Sequence, residues 1–298
     1  QVGVSEDDCV GVQDGMIVAM GKTAVLAQPY AATKTIDCTS RAVIPGFVDC
    51  HTHLVFGGNR VAEYELRVKG ASYMEIMAAG GGIRSSVAQT RAASEAELRA
   101  AAKARLDQMC RLGTTTVEIK TGYGLDVESE LKMLRVIEAL DAEHPCTIAP
   151  TFLGAHTVPS EFEHDVDGYV SLVVEEMIPE TAVWYDNSKF KQNGIPLFID
   201  VFCEDHAFDV AQSRRILEAG VAAGMQVKIH VDQFHAFGGL EMALELGAVS
   251  ADHLEVTTEA GIAALAESDT IGVPLPAANF NLGQTAFAPA RRLIDVGA

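Results

Sequence analysis

The sequence predicts an α/β fold: a (β/α)8 TIM-type barrel preceded by a small N-terminal β module. Short apolar strands alternate with amphipathic helices from Gly46 onward, and each strand–helix unit implies a parallel neighbour, because parallel strands need a crossover. Polar residues, histidines above all, recur where those strands end, which is where a parallel barrel keeps its active site. The competing doubly wound sheet would carry a glycine-rich dinucleotide fingerprint after a strand, and none is present.

The β module occupies residues 1–45 and reads as the N-terminal part of a small sandwich. "GVQDGMIVAMG" places an Asp14-Gly15 turn between apolar stretches, the signal of a hairpin. "TIDCTSRAVIPG" reads as a further strand ending in Pro-Gly. Residues 46–298 then hold seven candidate strands: "FVDCHTHL", "TTTVEIK", "IAPTFLGAH", "FIDVFCE", "QVKIHVDQ", "AVSADHLE" and "TIGVPLP". The helices between them carry start signals. Ser94 with Glu97 forms a capping box, followed by Leu98, Ala102, Leu106, Met109 and Leu112 at helical spacing. Asp126 caps a second helix with Leu131, Leu134 and Ile137 on one face, and Asp209 caps a third running to about Gly224. Residues 239–247 and 258–267 supply two more. An eighth strand is missing from the count. The opening Gln1 and the closing "RRLIDVGA", which reads as a helix before another strand, make a piece of a longer chain the expectation.

Composition narrows the function. Asp and Glu number 41 against 22 Lys and Arg, a formal charge of −19, so neither nucleic acid nor an anionic membrane surface is an expected partner. The six cysteines show no CxxC pair, a usage that suits reduced thiols and a cytoplasmic location. Aromatic residues make up only 6% of the chain, so the core must rest on Val, Leu, Ile and Ala.

The strand ends carry the chemistry. Strand one ends with His51 and His53, strand two with Lys120 and nearby Tyr123, strand three with His156 and strand four with Glu204. Strand five ends with His230 and Gln233, and strand six with His253. Residues at i and i+2 of a strand point to one side, so His51 and His53 can act together. Imidazoles suit zinc or iron, and a catalytic ion keeps an open position for water, whose pKa it lowers.

"PGFVDCHTHLVFGGNR" resembles the first-strand signature of the amidohydrolase superfamily. "GGGIRSSVAQTRAASEAEL", "TTTVEIKTGYGLDVESELKMLR", "FLGAHTVP", "KIHVDQF" and "GAVSADHLE" extend the likeness across nearly the whole chain. They resemble one branch, whose members hydrolyse 4-imidazolone-5-propanoate to N-formimidoyl-glutamate in histidine degradation. The resemblance implies one Zn or Fe ion and a small anionic heterocyclic substrate, and it leaves a homodimer open. It implies that His51, His53 and His230 are metal ligands and that Arg60, Tyr73, Tyr123 and His156 contact substrate. His253 would lie by the reacting carbonyl as a catalytic residue. Gln233 stands where some members carry a glutamate, and glutamine cannot take a proton, so only a binding role is expected of it. The fourth ligand of the family, an aspartate ending strand eight, matches no residue here, so the segment by itself is expected to be inactive. Two other readings remain: a deaminase of an aminated heterocycle on the same barrel, and a metal-free barrel with a binding role.

The remaining polar residues have plainer readings. His144 and His164 read as surface residues, and His206 and His235 as rim residues. Lys120 reads as structural or as an ion-pair partner, because the carboxylated lysine of two-metal amidohydrolases belongs to strand four. Glu204 reads equally as a hydrogen-bond partner of a ligand histidine or as an ordinary carboxylate at the barrel mouth. "AAGGGIRSS" reads as a loop over that mouth, and residues 180–196, with Trp184, as weakly patterned.

Overall fold

Seven strands of the larger unit pair in sequence order, all parallel. The computed structural model describes residues 7–71, 75 and 81–298, and the chain divides into two compact units, Gln1–Pro45 and Gly46–Ala298. In the first, β1 (Cys9–Gln13) and β2 (Met16–Gly21) form an antiparallel hairpin. Asp14 and Gly15, with φ of 50° and 78°, supply the two left-handed residues that a two-residue hairpin turn needs. The strand expected in residues 35–46 is absent. Ile36, Val43 and Ile44 stay exposed, and without a neighbouring ladder an extended segment does not register as a strand.

The second unit comprises β3 (Phe47–Asp49), β4 (Thr114–Lys120), β5 (Thr147–Ala155), β6 (Phe198–Cys203), β7 (Gln226–Val231), β8 (Ser250–His253) and β9 (Ile271–Pro274). The end strands β3 and β9 line one shared cleft of about 370 Å³, bounded by Phe47, Val48, Cys50, Val273 and Pro274. The sheet has therefore curled until its two edges face each other without pairing, a TIM-type barrel lacking one strand. β3 is shorter than expected. It ends at Asp49, and His51 and His53 lie in the segment that continues it, tied to β4 by Lys120 N donating to Thr52 O at 2.9 Å.

Helices cover the outside, and the alternation of β4 separates their layer from the barrel interior. Val117 and Ile119 pack with Leu98, Ala102 and Leu106 of helix Glu95–Arg111 and with Leu134 and Ile137 of helix Val127–Glu143. Glu118 and Lys120, on the other parity, are buried with Asp200, Lys228, His230 and Asp252. The capping box of Ser94 and Glu97 and the Asp126 and Asp209 caps are all formed. Leu112 falls outside its expected stripe. It lies one residue past the helix and is 79% exposed.

One loop expectation is overturned in part, and one weakly patterned stretch proves regular. Gly82 opens helix Ile83–Ala92, so the second half of "AAGGGIRSS" is helical. Residues 178–187 are also helical, following directly on a π-turn at Val173–Met177. Such a turn widens the helix, and Pro179 sits within the first residues after it, where its missing N–H costs least.

Leu106, fully buried between helix and sheet, tests this packing. Leu106→Ala is expected to lower unfolding free energy by about 2–5 kcal/mol, read from the urea midpoint at unchanged slope.

Candidate active site at the barrel mouth

Five imidazoles meet at the C-terminal ends of the strands. His51 and His53 come from the segment after β3, His156 follows β5, His230 lies in β7 and His253 ends β8. His53 Nε2 and His230 Nε2 are 3.3 Å apart. The ring centroids of His51 and His230 are 4.5 Å apart, those of His53 and His156 4.6 Å with the rings stacked, and those of His230 and His253 5.3 Å. Among the described residues, three sets each bring three ligand atoms within 4.8 Å of one another: His51, His230 and His253; His53, His156 and His230; and, at the exposed rim, Glu204, Asp205 and His235. His230 belongs to the first two, and the expected trio of His51, His53 and His230 spans those.

Hydrogen bonds orient these rings. His51 Nδ1 lies 2.6 Å from Asp252 Oδ2, His230 Nδ1 3.0 Å from Asp200 Oδ1, and His156 Nδ1 2.9 Å from the Gly122 carbonyl. Carboxylate and carbonyl oxygens only accept, so each Nδ1 carries the hydrogen and each Nε2 keeps a lone pair. Burial then keeps the rings neutral. It pushes His51 and His53 well below the ordinary histidine pKa, His156 down to about 3, and His230 down despite the opposing pull of Asp200. Neutral imidazole is the form that binds a metal.

The donor set fits a cation. Two imidazoles on a tetrahedral ion at ordinary Zn–N distances stand roughly 3.3–3.4 Å apart, the separation seen for His53 and His230. With its hydrogen on Nδ1, His230 can only accept at Nε2. His53 must then donate across that gap or meet it with a second lone pair. In either tautomer the buried His53 Nδ1 has no hydrogen-bond partner.

His253 reaches the mouth by backbone distortion. Its φ is 90° and that of Leu254 is 66°, a left-handed pair that a regular strand would not contain. Without this turn His253 would have the opposite parity to Asp252. Its Nδ1 lies 3.4 Å from Glu255 Oε1.

Tyr123 and Arg60 stand beside the imidazoles. The Tyr123 ring is 5.2 Å from His156 and 5.7 Å from His53, and burial raises its phenol pKa against the nearby charges of Arg60 and Arg105. Arg60 Nε donates to Ser86 Oγ at 3.0 Å. Gln233 lies partly exposed in the loop after β7. Tyr73 lies outside the described residues. His206 and His235 are exposed at the rim, where His235 Nδ1 approaches Glu204 Oε1 at 2.8 Å. Glu204 also accepts from the Phe234 and His235 amides, so it braces the rim loop rather than a mouth imidazole. His144 is buried rather than on the surface, because its Nδ1 accepts from Cys146 N and its Nε2 meets Asp107.

Several further residues support the site: Lys120 is the ion-pair partner that the sequence suggests, whereas Arg105 and Glu130 escape motif reading. Lys120 is wholly buried and bonded to Glu118 and Asp200 at 2.7 Å each, with Asp252 at 3.5 Å. Burial would lower its pKa, and the three carboxylates outweigh that and raise it. Arg105 donates to Leu54 O and Phe56 O and covers the Phe56 ring, clamping the segment after the two histidines. Glu130 takes the amides of Gly122, Gly124 and Leu125 at 2.8–3.2 Å, fixing the turn that carries Tyr123. Only glycine fits at 122. Its φ is 103°, and a Cβ there would meet Leu153 O at 2.9 Å.

The family model of the amidohydrolase family matches residues 42–275, and the chain belongs to that family. Two solved structures share the fold. One is the guanine deaminase from C. acetobutylicum (TM-score 0.62, 15% identity, 97% of this chain and 67% of that one). The other is the 5-methylcytosine deaminase from Klebsiella pneumoniae (TM-score 0.63, 16% identity, 97% and 69%). Curated relatives are much nearer in sequence. The imidazolonepropionase of Chloroflexus aggregans is 52% identical over 297 residues, covering 100% of this chain and 70% of the relative. That of Herpetosiphon aurantiacus is 51% identical over 295 residues, covering 99% and 68%. Within the amidohydrolases, the chain belongs to the imidazolonepropionases.

Glu130→Ala strands three backbone amides. It is expected to cost at least about 2 kcal/mol and to speed amide hydrogen exchange at residues 122–125 by about tenfold or more. Unchanged exchange there would remove Glu130 from the site's support.

Proposed function

We propose that this chain carries the barrel of a cytoplasmic enzyme that hydrolyses 4-imidazolone-5-propanoate to N-formimidoyl-L-glutamate in histidine degradation. The observation that carries the reading is the convergence of neutral imidazoles on one point, with His53 Nε2 and His230 Nε2 at 3.3 Å. The names of the relatives at about half identity over the whole chain support the substrate. His51, His53 and His230 would hold one Zn or Fe ion. The aspartate that the resemblance implies as a fourth ligand is assigned to no residue here. Bound there, the ion supplies Lewis acidity that makes water nucleophilic near neutral pH.

The chain's own residues do the rest. Water adds at the ring carbonyl, the cyclic C–N bond breaks, and the departing nitrogen takes a proton. His253, its ring 5.3–5.5 Å from those of His230 and His51, serves to polarise that carbonyl or move the proton. Arg60 receives the propanoate, since guanidinium is the side chain best shaped for a carboxylate. His156 and Tyr123 hold the polar edge of the ring, the resemblance gives Tyr73 a substrate contact, and Gln233 orients without exchanging a proton.

A heterocycle deaminase would use the same barrel, as the guanine and 5-methylcytosine deaminases do. Arg60 argues for an anionic substrate, and the products distinguish the two, since only deamination releases ammonia. In the whole protein, His230→Ala is expected to lose the metal and at least roughly a thousandfold in turnover. Stoichiometric metal and normal rates in that variant would exclude the assignment.

A further inference from the structure

We propose that Lys120 is the positioning residue of this metal site: one buried ammonium that holds all three carboxylates on which the ligand histidines depend. The inference rests on the metal-site reading above and adds the device that organises it.

Lys120 Nζ lies 2.7 Å from Glu118 Oε1, 2.7 Å from Asp200 Oδ2 and 3.5 Å from Asp252 Oδ2. Two of these carboxylates continue to a ligand histidine, and the third to the backbone between two of them. The other oxygen of Asp200, Oδ1, accepts from His230 at both its backbone N (3.1 Å) and Nδ1 (3.0 Å). Asp252 Oδ2 accepts from His51 Nδ1 at 2.6 Å. Glu118 Oε2 accepts at 3.2 Å from the amide of Thr52, the residue between His51 and His53. One amine on β4 is thus joined through β6 to His230, through β8 to His51, and through its own strand to the segment bearing both His51 and His53.

Lysine suits this place because its ammonium has three donors, no acceptor, and no planar geometry to impose. Lys120 and its partners Asp200 and Asp252 are buried to 1% exposure or less, and Glu118 to 5%, so water cannot substitute for the amine. The neighbouring Lys228 is spent elsewhere, on Ser250 Oγ at 2.7 Å and the Cys50 carbonyl at 3.3 Å, and stands 3.8 Å from Asp252. Without Lys120, Asp200 and Glu118 would have no lysine to hold their rotamers, and the hydrogens they fix on His230 and beside His51 would be free to shift. The metal itself would not touch Lys120, so the residue acts only through others.

The test uses Lys120→Met in the whole protein with Zn²⁺ as probe. Chelator competition is expected to show affinity weakened about ten- to a hundredfold, the range for loss of an outer partner of metal ligands. In the metal-free protein, imidazole ¹⁵N spectra are expected to change for His51 and His230 from a single Nδ1–H tautomer to a mixture. Wild-type affinity would overturn the inference, and so would weakened affinity with unchanged tautomers, which would indicate general loss of stability. If Lys120→Met is recovered only unfolded, Lys120→Gln, neutral but still a donor, is read by the same two outcomes. His230→Ala separates this failure from the other: metal retained there sinks the site reading, whereas metal lost there and kept in Lys120→Met sinks only the role of Lys120.

Discussion

Neutral imidazoles crowded at the barrel mouth must present their lone pairs to something positive. Burial sets this constraint by removing the option of charging the rings. Hydrogen bonds from Nδ1 to Asp252, Asp200 and the Gly122 carbonyl then turn the Nε2 lone pairs of three of the five rings away from their supports. Lone pairs at such distances repel unless a proton or a cation lies between them. The rest of the site is the support this arrangement needs.

That support explains the unusual interior of the barrel. Barrel interiors are commonly layers of branched apolar side chains. Here Glu118, Lys120, Thr151, Asp200, Lys228, Ser250 and Asp252 are buried together beneath the histidines. Burying one such ion would be costly alone, and the layer persists because the charges are paired and hydrogen-bonded. Ser250 Oγ donates to Asp252 Oδ1, Thr151 Oγ1 donates to Glu118 Oε1, and Lys228 reaches Ser250. The apolar core lies outside this layer, between sheet and helices, so stability and chemistry occupy opposite faces of the same strands.

Much of this was legible from the strands themselves. The parallel alternation, the caps at Ser94, Asp126 and Asp209, and the histidines at strand ends all follow from local patterns that the structure keeps. The carboxylates of the interior are not legible from the last residue of each strand alone. Reading each strand at period two exposes them: Glu118 before Lys120, Lys228 before His230, Ser250 before Asp252, and Asp200 within an otherwise apolar strand. Other features had no local signal. The left-handed backbone at His253 is imposed by tertiary context, and the burial of His144 depends on contact with Asp107, 37 residues away. Residues 35–46 read as strand-like, but strand formation needs a neighbour that composition does not disclose.

X-ray absorption at the edge of the metal carried by the purified whole protein tests the central claim most directly. About one Zn or Fe per chain is expected in a nitrogen and oxygen shell, with multiple scattering from roughly three imidazoles. A sulfur-containing shell, a second metal at about 3.5 Å, or an absence of imidazole scattering would contradict it.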